Sequence, residues 1–364
     1  MKNSGQTINF FQAGMIFMLM NGLLSHVIIN PMLLDAAGRD AWVAVLAAGA
    51  LYVPWCILLY LFMRKSEQKQ FYPWLVMHTN KIVAWIILIP ICIQLYLIGL
   101  ETVIHTSIFN IRNYLPEQTG IIVTIPLTLV SYFFARSGLR SIAIASGILL
   151  PIVIMLGYLV SFANMPYKDF TMMLPVFEYG YGPTMQGMIY AGGGFIEIIM
   201  LILIQHRLRS KVKYWQLAIL ALITIYIMFG PITGSITEFG YKEAADQLES
   251  PYEQWRLVKL GNDIEHVDFF AVYQWLAGAM IRISLAQYLL AELIPFRSLK
   301  VRHILIILLT LSYTISTFFP IENYTFYQII YTYYIPISLI TGIVISVVCA
   351  AIAMYASMKK ENAA

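Results

Sequence analysis

Glu197 and Arg282 are the residues of this chain best placed to do chemistry, because each carries a full charge inside a stretch otherwise apolar enough to cross a membrane. Glu197 follows three consecutive glycines, Gly192, Gly193 and Gly194, in "IYAGGGFIEIIM" (189–200), and Arg282 sits in "MIRISLAQY" (280–288). A charge at that depth costs several kcal/mol unless it is paired or watered. Two arrangements meet that demand. The charges can pair with each other across two helices, or they can line a cavity, where an arginine offers a forked contact to a ligand carboxylate.

The glycines leave a similar choice. Each costs about 1 kcal/mol relative to alanine in a helix interior, and a membrane helix can be interrupted only where protein or a cavity covers the break. Small residues also let a neighbouring helix pack closely. Three glycines in a row followed by Glu197 favour a break. The first apolar stretch, "FMLMNGLLSHVIINP", carries Asn21, Gly22, Ser25 and His26 and is closed by Pro31, so a second break is expected there. Glu101 with His105 one turn later reads as a snorkelling pair near the outer end of its span rather than as a proton relay.

No phosphate loop, nucleophile elbow, zinc-ligand spacing or dinucleotide fingerprint occurs. The glycines at 192–194 follow no strand and lack the third spaced glycine. The chain is therefore read as no enzyme, with no cofactor and no metal site.

The elements that must hold these residues are membrane helices. Charged residues are 12% of the chain and hydrophobic ones 60%, with a mean hydropathy of +0.73, against roughly 25% charged in a soluble domain. A window of about 20 apolar residues gives ten spans, at 9–30, 40–63, 80–111, 118–135, 141–163, 184–206, 214–236, 268–292, 303–319 and 332–357. Residues 1–14, "MKNSGQTINFFQAG", lack the charged start and cleavage site of a secretory signal. Cys56, Cys92 and Cys349 fall inside spans without paired spacing and read as core residues.

With the N-terminus on the cytoplasmic side, sixteen of the 23 lysines and arginines fall inside and six outside, Arg282 being within a span. Both termini are thus expected to be cytoplasmic. This asymmetry accounts for the net charge of +4 and calls for no nucleic-acid partner. Two outer connections are long, 164–183 and 237–267, and "YEQWRLV" in the second is expected either as a short helix on the outer surface or as solvated loop.

Breaks in the first and sixth of ten helices divide the chain into halves of five, 1–163 and 164–364, which have opposite orientation in the membrane. Paired interruptions at matching positions point to a midplane binding site in inverted-repeat transporters. The fold class expected is therefore an all-α integral membrane protein, ten helices as a five-plus-five inverted repeat with helices one and six broken.

The chain resembles the endospore germination permeases, the B subunits of nutrient germinant receptors, within the amino acid, polyamine and organocation transporter superfamily. The resemblance is carried by "FFQAG" (10–14), "NPMLLDAAGRDAW" (30–42), "MLPVFEYGYGPTMQG" (173–187), "GGGFIEIIM" (192–200), "IEHVDFFAVYQW" (264–275) and "FFPIENYTFYQ" (318–328). It implies the spore inner membrane, partnership with a membrane-spanning A subunit and a lipoprotein C subunit, and a germinant pocket among helices one, three, six, eight and ten. By position that pocket would hold Gly22, Leu24, Ser25 and His26, then Tyr96, then Gly193, Gly194, Phe195 and Glu197, then Arg282 and Ala286. The aromatic cluster "YQIIYTYYIP" (327–336) reads mainly as packing and interface residues, with Tyr333 or Tyr334 facing the pocket. The germinant implied is an L-amino acid, a sugar or a nucleoside. For an amino acid, exposed N–H groups at a break suit the carboxylate and Glu197 suits the ammonium. Three functions stay open: a permease-like sensor signalling to partner subunits, a secondary amino acid transporter, and a structural scaffold subunit.

Overall fold

The computed structural model describes residues 7–259, 267–296, 298–319 and 321–361. Part of the N-terminal segment, residues 260–266 of the long loop with the first three residues of the motif at 264–275, and Pro320 of the motif at 318–328 lie outside the described residues. Among the described residues the chain is helical throughout, apart from loops and one isolated parallel bridge between Ile8 and Leu208.

Helix α1, Phe10–Leu23, opens on a capping box in which Asn9 and Gln12 satisfy each other's backbone N–H. It runs through a wide π turn, Leu24–Ile28, where the Ile29 N–H reaches back to Leu24 O, and continues as α2, Ile29–Ala37. Gly38, at φ +55°, turns the chain into α3, Ala41–Lys65. Next in order are α4, Phe71–His78; the long α5, Lys81–Asn113; α6, Ile121–Ser137; and α7, Leu139–Ala163. In the second half α8, Tyr181–Phe195, passes through a tight 3-10 stretch, Ile196–Met200, into α9, Leu201–Ile204. Beyond it come α10, Tyr214–Phe239; two loop helices, α11, Tyr241–Asp246, and α12, Ser250–Arg256; then α13, Phe269–Leu293, and α14, Leu299–Ser316. Finally α15, Asn323–Ile329, joins α16, Ile335–Glu361, through a second π turn, Ile330–Tyr334.

Each of the ten expected segments finds a helix, but only eight stretches among the described residues are both long and apolar enough to cross a membrane. The first of these, Phe10–Lys65, runs through two expected spans, and Ile121–Ser137 is a shorter apolar helix.

Burial separates centre from periphery. In the stretch Tyr181–Arg207 83% of the apolar window is buried and in α13 61%, against 17% in α14. Helix α13 packs on α1, α5, α6 and α7, while α8 packs on α2, α3 and α16. The two charges singled out in the sequence therefore ride on the two most enclosed segments. That is where lipid cannot reach them.

Neither expected break is an unwound segment. Gly192, Gly193 and Gly194 lie inside α8, and the departure from α-helix begins just after them. Their smallness is used for contact: a Cβ on Gly193 would fall 2.3 Å from Ile335 Cγ2 and 3.2 Å from Ile335 O, and one on Gly194 would fall 2.5 Å from Met228 Cε and 2.9 Å from Ser25 Oγ. The glycines and Phe195 are succeeded by "IEII", whose branched residues are stiff in an α-helix, and the backbone tightens to 3-10 over them. Such a stretch within a helix is often a hinge or a strained sequence.

The loop 237–267 also departs from expectation. Its "YEQWRLV" does begin in a helix, α12, but the helix is sunk into the protein rather than laid on the surface. Tyr252 and Trp255 are buried, Trp255 Nε1 donates to Gln274 Oε1 at 2.9 Å, and Ser250 Oγ donates to Asn30 Oδ1 at 3.1 Å. Burial pushes the Tyr252 phenol above its ordinary pKa. At the opposite, basic end, Glu292 gathers Arg207 (2.6 Å), Arg302 (2.7 Å) and His206 (3.2 Å).

Candidate functional site

Where α8 gives way to the 3-10 stretch, α1 meets it. Asn21 Nδ2 donates to Gly194 O at 2.6 Å, and Ser25 Oγ donates to Asn21 Oδ1 at 3.0 Å. Asn21 and Ser25 are four residues apart, hence on one face. Their bonds tie helix one, just before its π turn, to helix six, just before its 3-10 stretch.

One turn further on, Glu197 Oε1 accepts from Arg282 Nη2 at 2.7 Å. Both side chains are essentially excluded from solvent. The same Nη2 lies 3.5 Å from Glu101 Oε2 on α5, and Glu101 is buried too. The snorkelling expected of Glu101 is thus replaced by an interior contact, because α5 packs closely on α13 over this length. Two carboxylates share one guanidinium, so the group carries an excess of one negative charge if all three are ionised. Arg282 Nε and Nη1 make no hydrogen bond among the described residues. Tyr334 lies against this group from the π turn before α16, whereas Tyr333 is exposed.

The other expected site residues divide clearly. Gly194 and Ser25 join the helix contact just described. Leu24 and Ala286 are buried core residues. Gly193 is filled against by Ile335, while a Cβ on Gly22 would meet nothing within 4 Å. Phe195 stacks on Tyr52 of α3 at 4.8 Å between ring centroids, and Tyr96 packs on Tyr313 of α14 at 5.4 Å. Those two rings serve packing rather than the charged group. His26 lies against the backbone of Ile227 in α10. The cysteines stay free, Cys56 and Cys349 buried and Cys92 partly so.

The residues that the sequence reading undervalued are Glu101, His105 and Arg112. They stand at offsets of four and seven along α5, which puts them on one face, and that spacing was the available signal. Glu249, which joins them from the loop before α12, had none.

Chemically, the group offers unused guanidinium donors, shared carboxylate acceptors and a buried phenol at a contact of five helical segments. Between them they match an ammonium, a carboxylate or both. Glu197 and Arg282 themselves line neither of two small clefts among the described residues. These clefts lie beside the pair, one toward the long loop, between α2, α5 and α15, and one between α5, the 3-10 stretch and α16.

Known proteins resemble this chain in sequence and in fold. The model of a family described as spore germination protein matches residues 7–325. Spore germination protein XB of Bacillus anthracis is 35% identical over 356 residues, covering 98% of this chain and 100% of that one. The putative spore germination protein YfkT of Bacillus subtilis strain 168 is 24% identical over 292 residues, covering 79% and 78%. Among solved structures, Mhp1, a nucleobase-cation-symport-1 family transporter in a closed conformation with bromovinylhydantoin bound, superposes with a TM-score of 0.53 at 13% identity, over 97% of this chain and 94% of that one. The last likeness concerns the fold alone. The extent of the family match and of the first relative, over a helical chain with eight membrane-competent stretches, means that this protein belongs to the spore germination protein family of permease-like membrane proteins.

Proposed function

We propose that this chain is the permease-like B subunit of a nutrient germinant receptor, and that it binds a small zwitterion, an L-amino acid, at the contact of α1, α5, α8, α13 and the π turn before α16. Arg282 is the anchor. Its Nη2 is held by Glu197, and the unpaired Nε and Nη1 lie on different edges of the guanidinium, so a ligand carboxylate takes one donor from either of them, or a fork together with Nη2 once Glu197 gives way. Glu101 and Glu197 supply acceptors for an ammonium. A sugar or nucleoside offers no carboxylate to the guanidinium and is disfavoured on that count.

The single observation that carries the reading is an arginine with no exposure, held by two acidic side chains and still left with free donors. A buried pair kept only for stability is readily matched by apolar residues. Ligand entry requires the packed glycines of α8 to part from Ile335 and Ser25, which makes binding a choice between two arrangements of the halves 1–163 and 164–364. That choice would pass to A and C subunits in the spore inner membrane, with both termini cytoplasmic.

The test is ligand-induced stabilisation of the purified, detergent-solubilised protein against L-amino acids, sugars and nucleosides. An amino acid raises the melting temperature of the wild type and leaves that of Arg282→Met/Glu197→Gln unchanged. Absence of any shift across the three classes, from a folded sample, overturns the reading. Uptake of the labelled ligand into reconstituted vesicles separates a transporter from a sensor.

A further inference from the structure

The face of α5 that carries Glu101 continues outward to His105 and Arg112, and a carboxylate from another part of the chain fills the space between the last two. Glu249 is the residue just before α12. Its Oε1 lies 3.6 Å from His105 Nε2, and its Oε2 contacts Arg112 Nη2. Glu249 is 3% exposed while Arg112 is 30% exposed, so the cation faces an entrance and its partner closes it from within. Both line a cleft walled by Ile28, Met32, Ile108 and Phe326, whose 30 Å³ is room for about two waters.

We propose that Arg112 and His105 form an acceptor for the carboxylate of a small organic anion, and that Glu249 is a carboxylate from the chain itself that occupies the acceptor until such an anion displaces it. An arginine fork matches a carboxylate, and the apolar walls suit a short aliphatic body. The backbone before Glu249 is extended at Gln247 rather than helical. The Glu249 carbonyl, meanwhile, is fixed by the Tyr252 N–H at 2.8 Å. Displacement therefore needs only the side chain to swing, with α12 left in place.

The acceptor is also wired inward. His105 Nδ1 lies 3.7 Å from Glu101 Oε1, and Glu101 Oε2 lies 3.5 Å from Arg282 Nη2. Glu253, the other acid near Arg112, is engaged by Arg256 at 3.0 Å and leaves the fork to Glu249. This inference needs only Arg112, His105 and Glu249, and stands whether or not an amino acid binds at Arg282.

Propionate reproduces the Glu249 side chain beyond Cα, so it is the probe. Thermal unfolding of the full-length, detergent-solubilised protein is followed against sodium propionate, with ionic strength held constant by sodium chloride and with propionamide as the uncharged control. Glu249→Gln removes the competing charge and is expected to respond at a propionate concentration at least tenfold lower than the wild type. Propionamide leaves it unmoved, and Glu249→Gln/Arg112→Gln loses the response. A Glu249→Gln protein no more sensitive than the wild type, or a double variant that keeps the response, overturns the proposal. Should Glu249→Gln fail to fold, Glu249→Asp, whose shorter reach weakens the same contact, must shift in the same direction. Sensitivity equal to that of the wild type overturns the proposal there as well.

Discussion

Replacing single glycines by alanine separates close packing from helix breaking, and the geometry fixes the sign at each position. At Gly22 a Cβ meets nothing within 4 Å, so Gly22→Ala collects only the gain in helix propensity, up to about 1 kcal/mol. At Gly193 the same gain is opposed, because the new carbon lands 2.3 Å from Ile335 Cγ2 and 3.2 Å from Ile335 O. Overpacking of this kind costs about 1–3 kcal/mol. The upper part of that range applies, since one obstacle is the backbone of the first residue of α16 and cannot rotate away. Gly193→Ala is therefore expected to lose about 1–2 kcal/mol, leaving a gap of about 2–3 kcal/mol between the two variants. At about 2 °C per kcal/mol for a large domain, their melting points in detergent separate by about 5 °C. Equal melting points, or a Gly193→Ala protein more stable than Gly22→Ala, would refute the packing account and return the glycines to a role in unwinding.

Three further outcomes are expected of the charged groups. Arg282→Met leaves Glu197 and Glu101 facing each other without a cation and is expected to cost about 3–5 kcal/mol. Adding Glu197→Gln recovers part of that loss, as a double-mutant cycle in denaturant would measure. Tyr334→Phe, beside Arg282, should weaken the ligand-induced melting shift, while Tyr333→Phe, at an exposed ring, should not. Glu292→Gln removes the charge that holds Arg207, Arg302 and His206 together, and is expected to lower stability by about 1–3 kcal/mol, read as a fall in melting temperature in detergent.

Membrane helices were legible because their signal is local: about 20 apolar residues must be contiguous to cross a bilayer. Glu197 and Arg282 were legible for a related reason, since a lipid-facing charge is too costly to keep and only a few arrangements avoid the cost. The illegible features depended on contacts distant in sequence. Nothing in "AGGGF" tells that Ile335 will lie against Gly193, so the choice between breaking and packing was settled by a residue 142 positions away. The place of Glu101 in its span points to the interface, whereas α13 packs along its helix and leaves it buried. The offsets to His105 and Arg112 were present in the sequence. Glu249 was beyond reach, because a loop carries no periodicity to say which way it folds.

The π turn of the first helix has a consequence for how this chain can change length. A turn closed from Leu24 O to Ile29 N–H holds one residue more than an ordinary α turn. Removing one residue from Leu24–Ile28 would convert it to regular helix and leave Asn21 still aimed at Gly194 and Asn30 still aimed at Ser250. The same deletion between Asn21 and Leu24, or between Ile28 and Asn30, with the π turn kept, would rotate everything beyond it by about 100°, tearing one of those registers apart. The π turn is thus the place in this helix where evolution or an engineer can drop a residue, trading the irregularity away while both flanking faces keep their partners.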